Sequence, residues 1–481
     1  MSQIETRLWI NNEYAAPHNG ETFPIYNAFD GSLVADVAVA GPEDVEAAVQ
    51  GAEVGQKVWF DLSGVERATV MRRFANLLRD ATKDLARLDG LTMGRPVHTN
   101  DEGTRSAATW EYYAGLAEHV HGTSSLLCPG YVNINLRQPF GVTCGIIPWN
   151  LPVGAFAFKA APAVAAGNAI IIKTSEKAPL AIAHLSKLIA QAGFPPGVIQ
   201  ILHGAGKTGA LLSEHMKIRK LSFTGSTNTG RAILRASADS NLKNVTLELG
   251  GKSPTIVFED ADLDQAIKDC AFSISFNSGQ VCIASSRLYV HAGVYDSFVQ
   301  GLVEAFKGVE HGNPQSESTT MGPQADKAQS SIVSNYIEVG LKEGKVVYGG
   351  KADGDDNVNA FKPTIITDLP DSSAVNTEEV FGPVLVIHKF TDEQEVEVLK
   401  RCNDSPYGLY SAVYTKNFDR AMRVAKALEA GSVGVNCNSP FTANDLPFGG
   451  WKASGIGREN GPNGLDPWLE YKSIYMRVAG L

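Results

Sequence analysis

Cysteines, charge blocks and long apolar runs are all scarce in this chain of 481 residues. Its six cysteines form no CxxC pair and no cluster with histidine, which argues against a disulfide framework and a metal site. The formal net charge of -10 is spread without acidic or basic blocks, so neither a nucleic-acid surface nor a polybasic membrane patch is indicated. The most apolar stretch, residues 151–172, contains prolines, a lysine and an asparagine, and is therefore a poor membrane span.

The N-terminal segment lacks two targeting patterns. Residues 1–14 contain neither the apolar core of a secretory signal peptide nor the arginine-rich pattern of a transit peptide. We therefore expect a cytoplasmic protein, whose reducing surroundings would keep its cysteines as free thiols.

What the chain does contain is an alternation of short apolar runs with helical segments. Hydrophobic residues make up 44% and charged residues 20%, as in soluble globular proteins, and the length suits about three domains. Between residues 142 and 225, all-apolar runs alternate with helix patterns, which predicts a parallel sheet covered on both faces. A second alternating region begins near residue 251, and half-exposed strand patterns occupy 131–139 and 469–478.

We therefore predict an α/β fold with a Rossmann-like parallel-sheet domain, a second α/β domain and a small β-arm. The first domain, which we expect to bind a nucleotide, comprises residues 1–120 and 140–250. The second comprises residues 251–450, and the arm comprises residues 121–139 and 460–481.

The most informative motifs are a glutamate segment and a cysteine segment that follows it. Glu248 lies in LELGGKSP (247–254), and Cys282 lies among small residues in FNSGQVCIA (276–284). A cysteine in such a setting is accessible to a carbon electrophile, and a carboxylate can take a proton from the thiol or from water. An inert buried cysteine is the ordinary alternative, and we assign that role to the other five cysteines.

Both segments resemble the active-site signatures of the aldehyde dehydrogenase superfamily. Five further segments are similar to the family's remaining motifs, in the family's order: PWN (148–150), KTSE (173–176), FTGS (223–226), EEVFGP (378–383) and PFGGWKASGIGRE (447–459). The resemblance extends from about Trp9 to the C-terminal strand. It implies an NAD(P)-dependent enzyme that oxidises an aldehyde to a carboxylic acid, in which residues 251–450 carry the catalytic cysteine.

The resemblance implies roles for three catalytic residues. Cys282 would add to the aldehyde carbon, and Glu248 would activate the water that hydrolyses the resulting thioester. Burial at the end of the apolar run VTLELGG would raise the pKa of Glu248 toward the range of a general base, although a helix cap or an ion pair is the plainer interpretation. Asn150, otherwise an ordinary loop residue, would donate to the oxyanion together with the backbone amide of Cys282, which is worth ~3 kcal/mol.

The cofactor motifs need separate treatment. Gly204, Gly206 and Gly209 in HGAGKTG form a literal GxGxxG match after an apolar run, but the acidic residue expected about 20 positions later is missing. We interpret this match as a tight strand-to-helix turn and leave a direct pyrophosphate role open. FTGSTNTG is the stronger candidate, because Gly225 allows close approach of the backbone and Ser226 precedes a helix N-terminus.

Further cofactor roles follow from the resemblance alone. Lys173 and Glu176 would hold the adenosine ribose, where the carboxylate would repel a 2′-phosphate and favour NAD, while the lysine partly offsets this and keeps NADP as an alternative. Glu379 and Phe381 would hold the nicotinamide ribose and ring. The whole set expected at the cofactor is Ile146, Ile147, Trp149, Lys173, Ser175, Glu176, Gly206, Gly209, Phe223, Gly225, Ser226, Gly230, Leu249, Glu379 and Phe381.

Four apolar residues beside the matched motifs are expected to line the aldehyde tunnel: Leu151, Phe158, Ile283 and Phe441. None of them could hold a second carboxylate, so we expect a medium-chain or aromatic aldehyde as substrate. A semialdehyde dehydrogenase of the same superfamily is the alternative, because an unmatched loop could contribute a charged residue.

Two other classes fit less well. A cofactor-free cysteine hydrolase would leave the KTSE, FTGS and EEVFGP segments without a purpose, and a binding protein on a retired scaffold would be expected to have lost one of Cys282, Glu248 or Asn150. The resemblance also implies a homodimer or homotetramer, in which the β-arm pairs across subunits.

Overall fold

The computed structural model describes residues 4–351, 359–439 and 444–479. The strands of the first half are β1 (Leu8–Ile10), β2 (Glu13–Ala15), β3 (Thr22–Tyr26), β4 (Leu33–Ala38), β5 (Thr123–Ser125), β6 (Tyr131–Pro139), β7 (Val142–Ile146), β8 (Ala169–Lys173), β9 (Ile199–Leu202), β10 (Lys220–Thr224) and β11 (Asn244–Glu248). The later strands are β12 (Ser253–Val257), β13 (Ser285–His291), β14 (Lys345–Lys351), β15 (Phe361–Thr367), β16 (Val384–Phe390), β17 (Tyr410–Tyr414), β18 (Ser432–Val435), β19 (Gly455–Ile456) and β20 (Leu469–Arg477).

The α-helices alternate with these strands through most of the chain. In the first half they are α1 (Pro42–Phe60), α2 (Gly64–Asp80), α3 (Thr82–Met93), α4 (Glu102–Leu116), α5 (Pro152–Ala165), α6 (Leu180–Ala192), α7 (Gly206–Glu214) and α8 (Thr227–Asp239). In the second half they are α9 (Leu263–Ser275), α10 (Tyr295–Lys307), α11 (Lys327–Glu343), α12 (Ala374–Thr377), α13 (Glu395–Asn403) and α14 (Phe418–Ala427).

The first sheet has the strand order β19-β11-β10-β7-β8-β9-β1-β2, and β7 to β11 run parallel. Successive strands move outward from β7 on one side as far as β9, and β10 returns to the other side of β7. The strand order therefore reverses between β7 and β10, and α/β proteins bind ligands at the carboxyl ends of the strands at such a point.

Helices cover both faces of this sheet because its central strands are apolar on both sides. In β8, Ile170 and Ile172 join the core beneath α2, α4, α5 and α6, whereas Ile171 joins the core beneath α1, α7 and α8. Side chains alternate across a strand, so a continuous run of isoleucines supplies both cores at once. Each such buried side chain stabilises the fold by roughly 1.5–3 kcal/mol.

The second sheet has the order β14-β15-β16-β13-β12-β17-β18 and is parallel except for β14. One of its cores lies beneath α9 and α10, and two others lie beneath α13 and α14 and beneath α11. The segment that leads from α9 into the amino end of β13 carries Cys282.

A separate three-stranded sheet has the order β20-β6-β5, in which β20 pairs antiparallel with β6 over nine positions. Tyr471 and Tyr475 on β20 are 68% and 74% exposed, so this sheet presents apolar area to solvent. β3 and β4 form a further hairpin. None of the described helices is both long enough and apolar enough to span a bilayer.

The predicted fold class is confirmed, because two mainly parallel sheets and a small antiparallel arm are all present. The predicted domain limits stay a prediction. Strand β19, which falls between the predicted second domain and the arm, pairs antiparallel with β11 and so belongs to the first sheet. This pairing places Gly455 opposite Glu248 and brings the segment PFGGWKASGIGRE to the end of β11.

Candidate active site

The predicted site residues of the first sheet gather at one edge. Ile146, Lys173 and Glu248 are the last residues of β7, β8 and β11, and Gly225 directly follows β10. Because these strands are parallel neighbours, their carboxyl ends meet along one crevice.

Glu248 is almost completely buried at this edge, with 4% of its surface exposed. Its Oε2 has no hydrogen-bond partner among the described residues, and its Oε1 faces Gly449, where a built Cβ would lie only 2.7 Å away. Burial raises the pKa of Glu248 well above its usual value, and the negative charge of Glu459 raises it further, whereas Lys159 and Arg458 act in the opposite direction. A raised pKa makes the ionised carboxylate a stronger base, which suits a group that takes a proton from water.

A buried ion pair accompanies Glu248. Lys159 on α5 is fully buried, and its Nζ donates to Glu459 Oε1 over 2.6 Å and to Ser222 Oγ over 3.0 Å. Ser222 Oγ donates in turn to the same carboxylate oxygen over 2.8 Å. The sequence patterns assigned no role to this group, although the lysine that interrupts the apolar helix and the glutamate that ends PFGGWKASGIGRE were both visible signals.

The loop that carries Cys282 begins with a left-handed turn. Asn277, Ser278 and Gly279 have φ values of 49°, 56° and 71°, which are costly for the two non-glycine residues. Ser278 Oγ offsets part of that cost by donating to Gly322 O over 2.7 Å. The glutamate segment closes against the same loop, because a Cβ built at Gly251 would lie 2.3 Å from the carbonyl oxygen of Cys282.

Cys282 is half-buried and lies near two carboxylates. Burial raises the pKa of its thiol to about 12, and the carboxylates of Glu379 and Glu248 contribute to the shift. Cys144 and Cys402 are fully buried, and positively charged neighbours oppose the rise of their pKa. The resting Cys282 is thus a protonated thiol that needs a base or a cation to become a nucleophile.

Asn150 is hydrogen-bonded to the cysteine loop. Its Nδ2 donates to Gln280 O over 2.8 Å, and Asn277 Nδ2 donates back to Asn150 O over 3.0 Å. An amide nitrogen carries two N–H groups, so one bond to Gln280 leaves a second donor for a substrate oxygen. Asn277 and Gln280, which the sequence patterns did not single out, thereby fix the predicted oxyanion donor relative to the nucleophile.

The crevice between β7 and β10 suits a dinucleotide. Ser226 is the N-cap of α8, and its Oγ accepts from Thr229 N over 3.3 Å. Thr227 Oγ1 in the first turn is buried without a partner among the described residues, and Gly206 at the start of α7 faces open space. Positive helix ends, an unpartnered hydroxyl and open space are what a pyrophosphate requires.

Other predicted cofactor residues lie around this crevice. Lys173 is nearly buried, which lowers its pKa, and its Nζ lies 3.7 Å from Glu176 Oε2. Ser175 Oγ donates to Glu176 Oε2 over 3.4 Å. Five further predicted cofactor residues are buried: Ile146, Ile147, Phe223, Gly230 and Leu249. Gly209 faces the side chain of Ile146, and Gly230 faces that of Leu249.

The EEVFGP loop reaches the glutamate segment from the second sheet. Glu379 Oε1 accepts a hydrogen bond from Gly251 N over 2.9 Å, and burial of its carboxyl group raises its pKa to about 7. Phe381 has a φ of 53° and packs edge-on against Trp149, with ring centroids 5.4 Å apart. Residues 248–251, 282 and 379–381 therefore converge from three separate loops.

The predicted tunnel residues are placed less completely. Leu151 and Phe158 are half-buried on the same side of α5, whereas Ile283 is buried in the core beneath α9 and α10, with 5% of its surface exposed. Phe441 lies outside the described residues. Their role as a tunnel lining stays a prediction.

Comparison with known proteins agrees with this geometry. Residues 14–474 match the model of the family described as the aldehyde dehydrogenase family. The Arabidopsis thaliana protein named aldehyde dehydrogenase family 2 member B4, mitochondrial, is 42% identical over 98% of this chain and 88% of its own length. The chain belongs to the aldehyde dehydrogenase family.

Solved aldehyde dehydrogenase structures share the whole fold. A mutant of the P. syringae indole-3-acetaldehyde dehydrogenase AldA, in complex with NAD+ and IAA, has a TM-score of 0.96 at 35% identity and covers 99% of this chain and 97% of its own. An E. coli enzyme described as NADP dependent has a TM-score of 0.95 at 36% identity, with 99% and 98% coverage. The predicted reaction class, aldehyde oxidation by an NAD(P)-dependent family, is confirmed.

Proposed function

We propose that this aldehyde dehydrogenase oxidises an apolar aldehyde to the free carboxylic acid through a thiohemiacetal and then a thioester on Cys282. The observation that carries the proposal is the position of Cys282, within electrostatic range of two carboxylates and on a loop hydrogen-bonded to Asn150.

In the first step the thiol of Cys282 gives its proton to solvent water, and Sγ forms a bond to the carbonyl carbon of the aldehyde. The carbonyl oxygen gains negative charge, which the free N–H of Asn150 and the backbone N–H of Cys282 stabilise. Each such donor is worth about 3 kcal/mol when it is fixed before the reaction. The hydrogen bonds from Asn150 to Gln280 and from Asn277 to Asn150 supply that fixation.

The residues that would hold NAD lie around the crevice described above. Ser226 and the first turn of α8 would bind the pyrophosphate, Glu176 the adenosine ribose, and Glu379 the nicotinamide ribose, while Phe381 would border the ring. When bound, NAD accepts a hydride from the carbon attached to Cys282. Exclusion of a 2′-phosphate by Glu176 favours NAD over NADP, and the adjacent Lys173 weakens that preference.

Glu248 completes the reaction by taking a proton from a water molecule that attacks the thioester. The C–S bond then breaks, Cys282 regains a proton, and the acid leaves. The raised pKa of Glu248 suits this role, because it makes the ionised carboxylate a stronger base toward water.

An apolar substrate is supported by the side chains near the nucleophile. Leu151, the N-cap of α5, and Phe158 within α5 are half-buried apolar side chains, and Phe276, Phe448 and Cys282 each pack against the same core of the second sheet. One solved relative is named for an aromatic aldehyde, indole-3-acetaldehyde. We therefore propose a medium-chain or aromatic aldehyde as substrate.

We also propose a cytoplasmic homodimer or homotetramer. Within the described residues, the outer edge of β20 in the β-arm has no paired strand, and β18 is an edge strand of the second sheet. Exposed edges with tyrosines are surfaces to which a strand of another subunit can add. All six cysteines are free thiols, as a reducing compartment requires.

The test is an absorbance assay of reduced cofactor with aldehydes from acetaldehyde to cinnamaldehyde, with NAD and NADP in parallel. We expect hexanal and benzaldehyde to react faster than succinic semialdehyde, and NAD to be the better cofactor. Cys282→Ala is expected to abolish turnover while binding NAD normally by calorimetry. Turnover by Cys282→Ala would refute the nucleophile, and a preference for succinic semialdehyde would refute the apolar tunnel.

A further inference from the structure

A second group of buried charges lies beneath the oxyanion loop. Asp89 on α3, Arg95 after it and Glu102 at the start of α4 are each at most 5% exposed. Glu102 Oε2 accepts from Arg95 Nη1 over 2.9 Å, and both side chains of this ion pair are almost fully removed from solvent. A buried ion pair costs desolvation energy, so its presence here calls for a local explanation.

The other oxygen of Glu102 reaches the helix that follows Asn150. Its Oε1 accepts a hydrogen bond from Gly154 N over 2.5 Å. Gly154 is the third residue of α5, and the N-cap position is occupied by Leu151, whose side chain makes no capping bond. The first amides of a helix lack partners within the helix, and a carboxylate there also complements the helix dipole. Glu102 thus serves as the missing cap, supplied from another helix.

Arg95 connects the same carboxylate to the cysteine loop. Its guanidinium carbon lies 5.0 Å from the centroid of the Phe276 ring, directly before the left-handed turn that leads to Cys282. The next residue, Asn277, donates to Asn150 O. The contacts therefore form a closed ring that runs from Asn150 through α5, Glu102, Arg95 and the cysteine loop back to Asn150.

We propose that Glu102 is a positioning residue for aldehyde oxidation: it caps α5 and, held by Arg95, fixes the Asn150 amide against the cysteine loop. This inference rests on the proposed roles of Asn150 and Cys282. Burial and the charge of Glu102 raise the pKa of Asp89 well above its usual value, and the positive charge of Arg95 acts in the opposite direction. Burial likewise raises the pKa of Glu102, and Arg95, which donates a hydrogen bond to Glu102, opposes that shift.

The test compares two variants of Glu102 with a matched control on the same helix. Glu102→Ala removes the cap, whereas Glu102→Gln keeps an oxygen that can accept from Gly154 N and nearly the same volume. The control is Glu111→Gln, which removes an exposed ion pair with Arg79 (3.0 Å) elsewhere on α4. Each variant is mixed with NAD and hexanal, and the rate of the first turnover is followed by stopped flow.

We expect Glu102→Ala to slow the first turnover on the order of 100-fold, since a misplaced catalytic group costs about that much. Glu102→Gln should recover most of that rate, Glu111→Gln should match the wild type, and all three should bind NAD with unchanged affinity by calorimetry. A folded Glu102→Ala enzyme with a normal first-turnover rate and only a lowered thermal stability would overturn the inference, as would a Glu102→Gln enzyme as slow as Glu102→Ala. An inactive wild type would instead overturn the proposed function.

Discussion

Two carboxylates flank Cys282, and they differ in how they are held. Glu379 arrives from the loop before β16, accepts a hydrogen bond from Gly251 N, and has a pKa raised to about 7. Glu248 ends β11, leaves Oε2 without a partner among the described residues, and has a pKa raised further by the nearby charge of Glu459. A carboxylate held by a hydrogen-bond donor is suited to binding a ligand, whereas a carboxylate without such a donor is suited to exchanging protons.

Replacing the unpartnered carboxylate should have the largest effect. Glu248→Gln removes the base for thioester hydrolysis, so we expect steady-state kcat to fall by about 100-fold or more. Formation of the thioester should remain, which gives a burst of NADH before the slow steady state. Stopped-flow absorbance measures both phases, and loss of the burst would mean that Glu248 acts mainly on the thiol.

Replacing the hydrogen-bonded carboxylate should affect cofactor binding more than hydrolysis. Glu379→Gln weakens a charge-assisted hydrogen bond to the nicotinamide ribose, so we expect the KM for NAD to rise about tenfold. No burst should appear, because hydride transfer becomes slower than deacylation. Glu378→Gln is the control, since Glu378 is an exposed neighbour that accepts from Tyr336 Oη instead. If Glu379→Gln and Glu248→Gln had the same effects on the burst and on the KM for NAD, the distinction between Glu248 and Glu379 would be lost.

The smallest change should come from the ion pair behind Glu248. The negative charge of Glu459 raises the pKa of Glu248, whereas the positive charge of Lys159 lowers it. Glu459 also forms an ion pair with Lys159 and so weakens this opposing effect. Glu459→Gln should therefore lower the pKa of Glu248. Hydrolysis needs ionised Glu248, so the rise of kcat with pH should move to lower pH. A pH profile of kcat measures this, and a shift to higher pH would contradict the electrostatic account.

Much of the fold was predictable, because its signals are local. Continuous apolar strands such as β8 predicted a sheet covered on both faces, and the structure has that arrangement. The short strand β19 was not predictable, since two residues carry no periodic pattern.

Long-range charge contacts were also beyond the sequence patterns. Lys159 appears in the sequence only as a break in an apolar helix, and its partner Glu459 lies 300 residues away. Glu102 likewise caps a helix that begins far along the chain, so no local capping motif marks it. The roles of Cys282, Glu248 and Asn150 follow from the family resemblance of their motifs and stay a prediction, whereas the residues that contact them could be found only from the packing of separate elements.

The most direct test of the central claim is the intact mass of Glu248→Gln enzyme mixed with NAD and hexanal. The account predicts a hexanoyl adduct that accumulates on the enzyme and is absent when Cys282→Ala is added to the same variant. The account would be contradicted if Glu248→Gln formed no adduct, or if the double variant with Cys282→Ala formed an adduct to the same extent. Either result would argue against a thioester on Cys282 whose hydrolysis depends on Glu248.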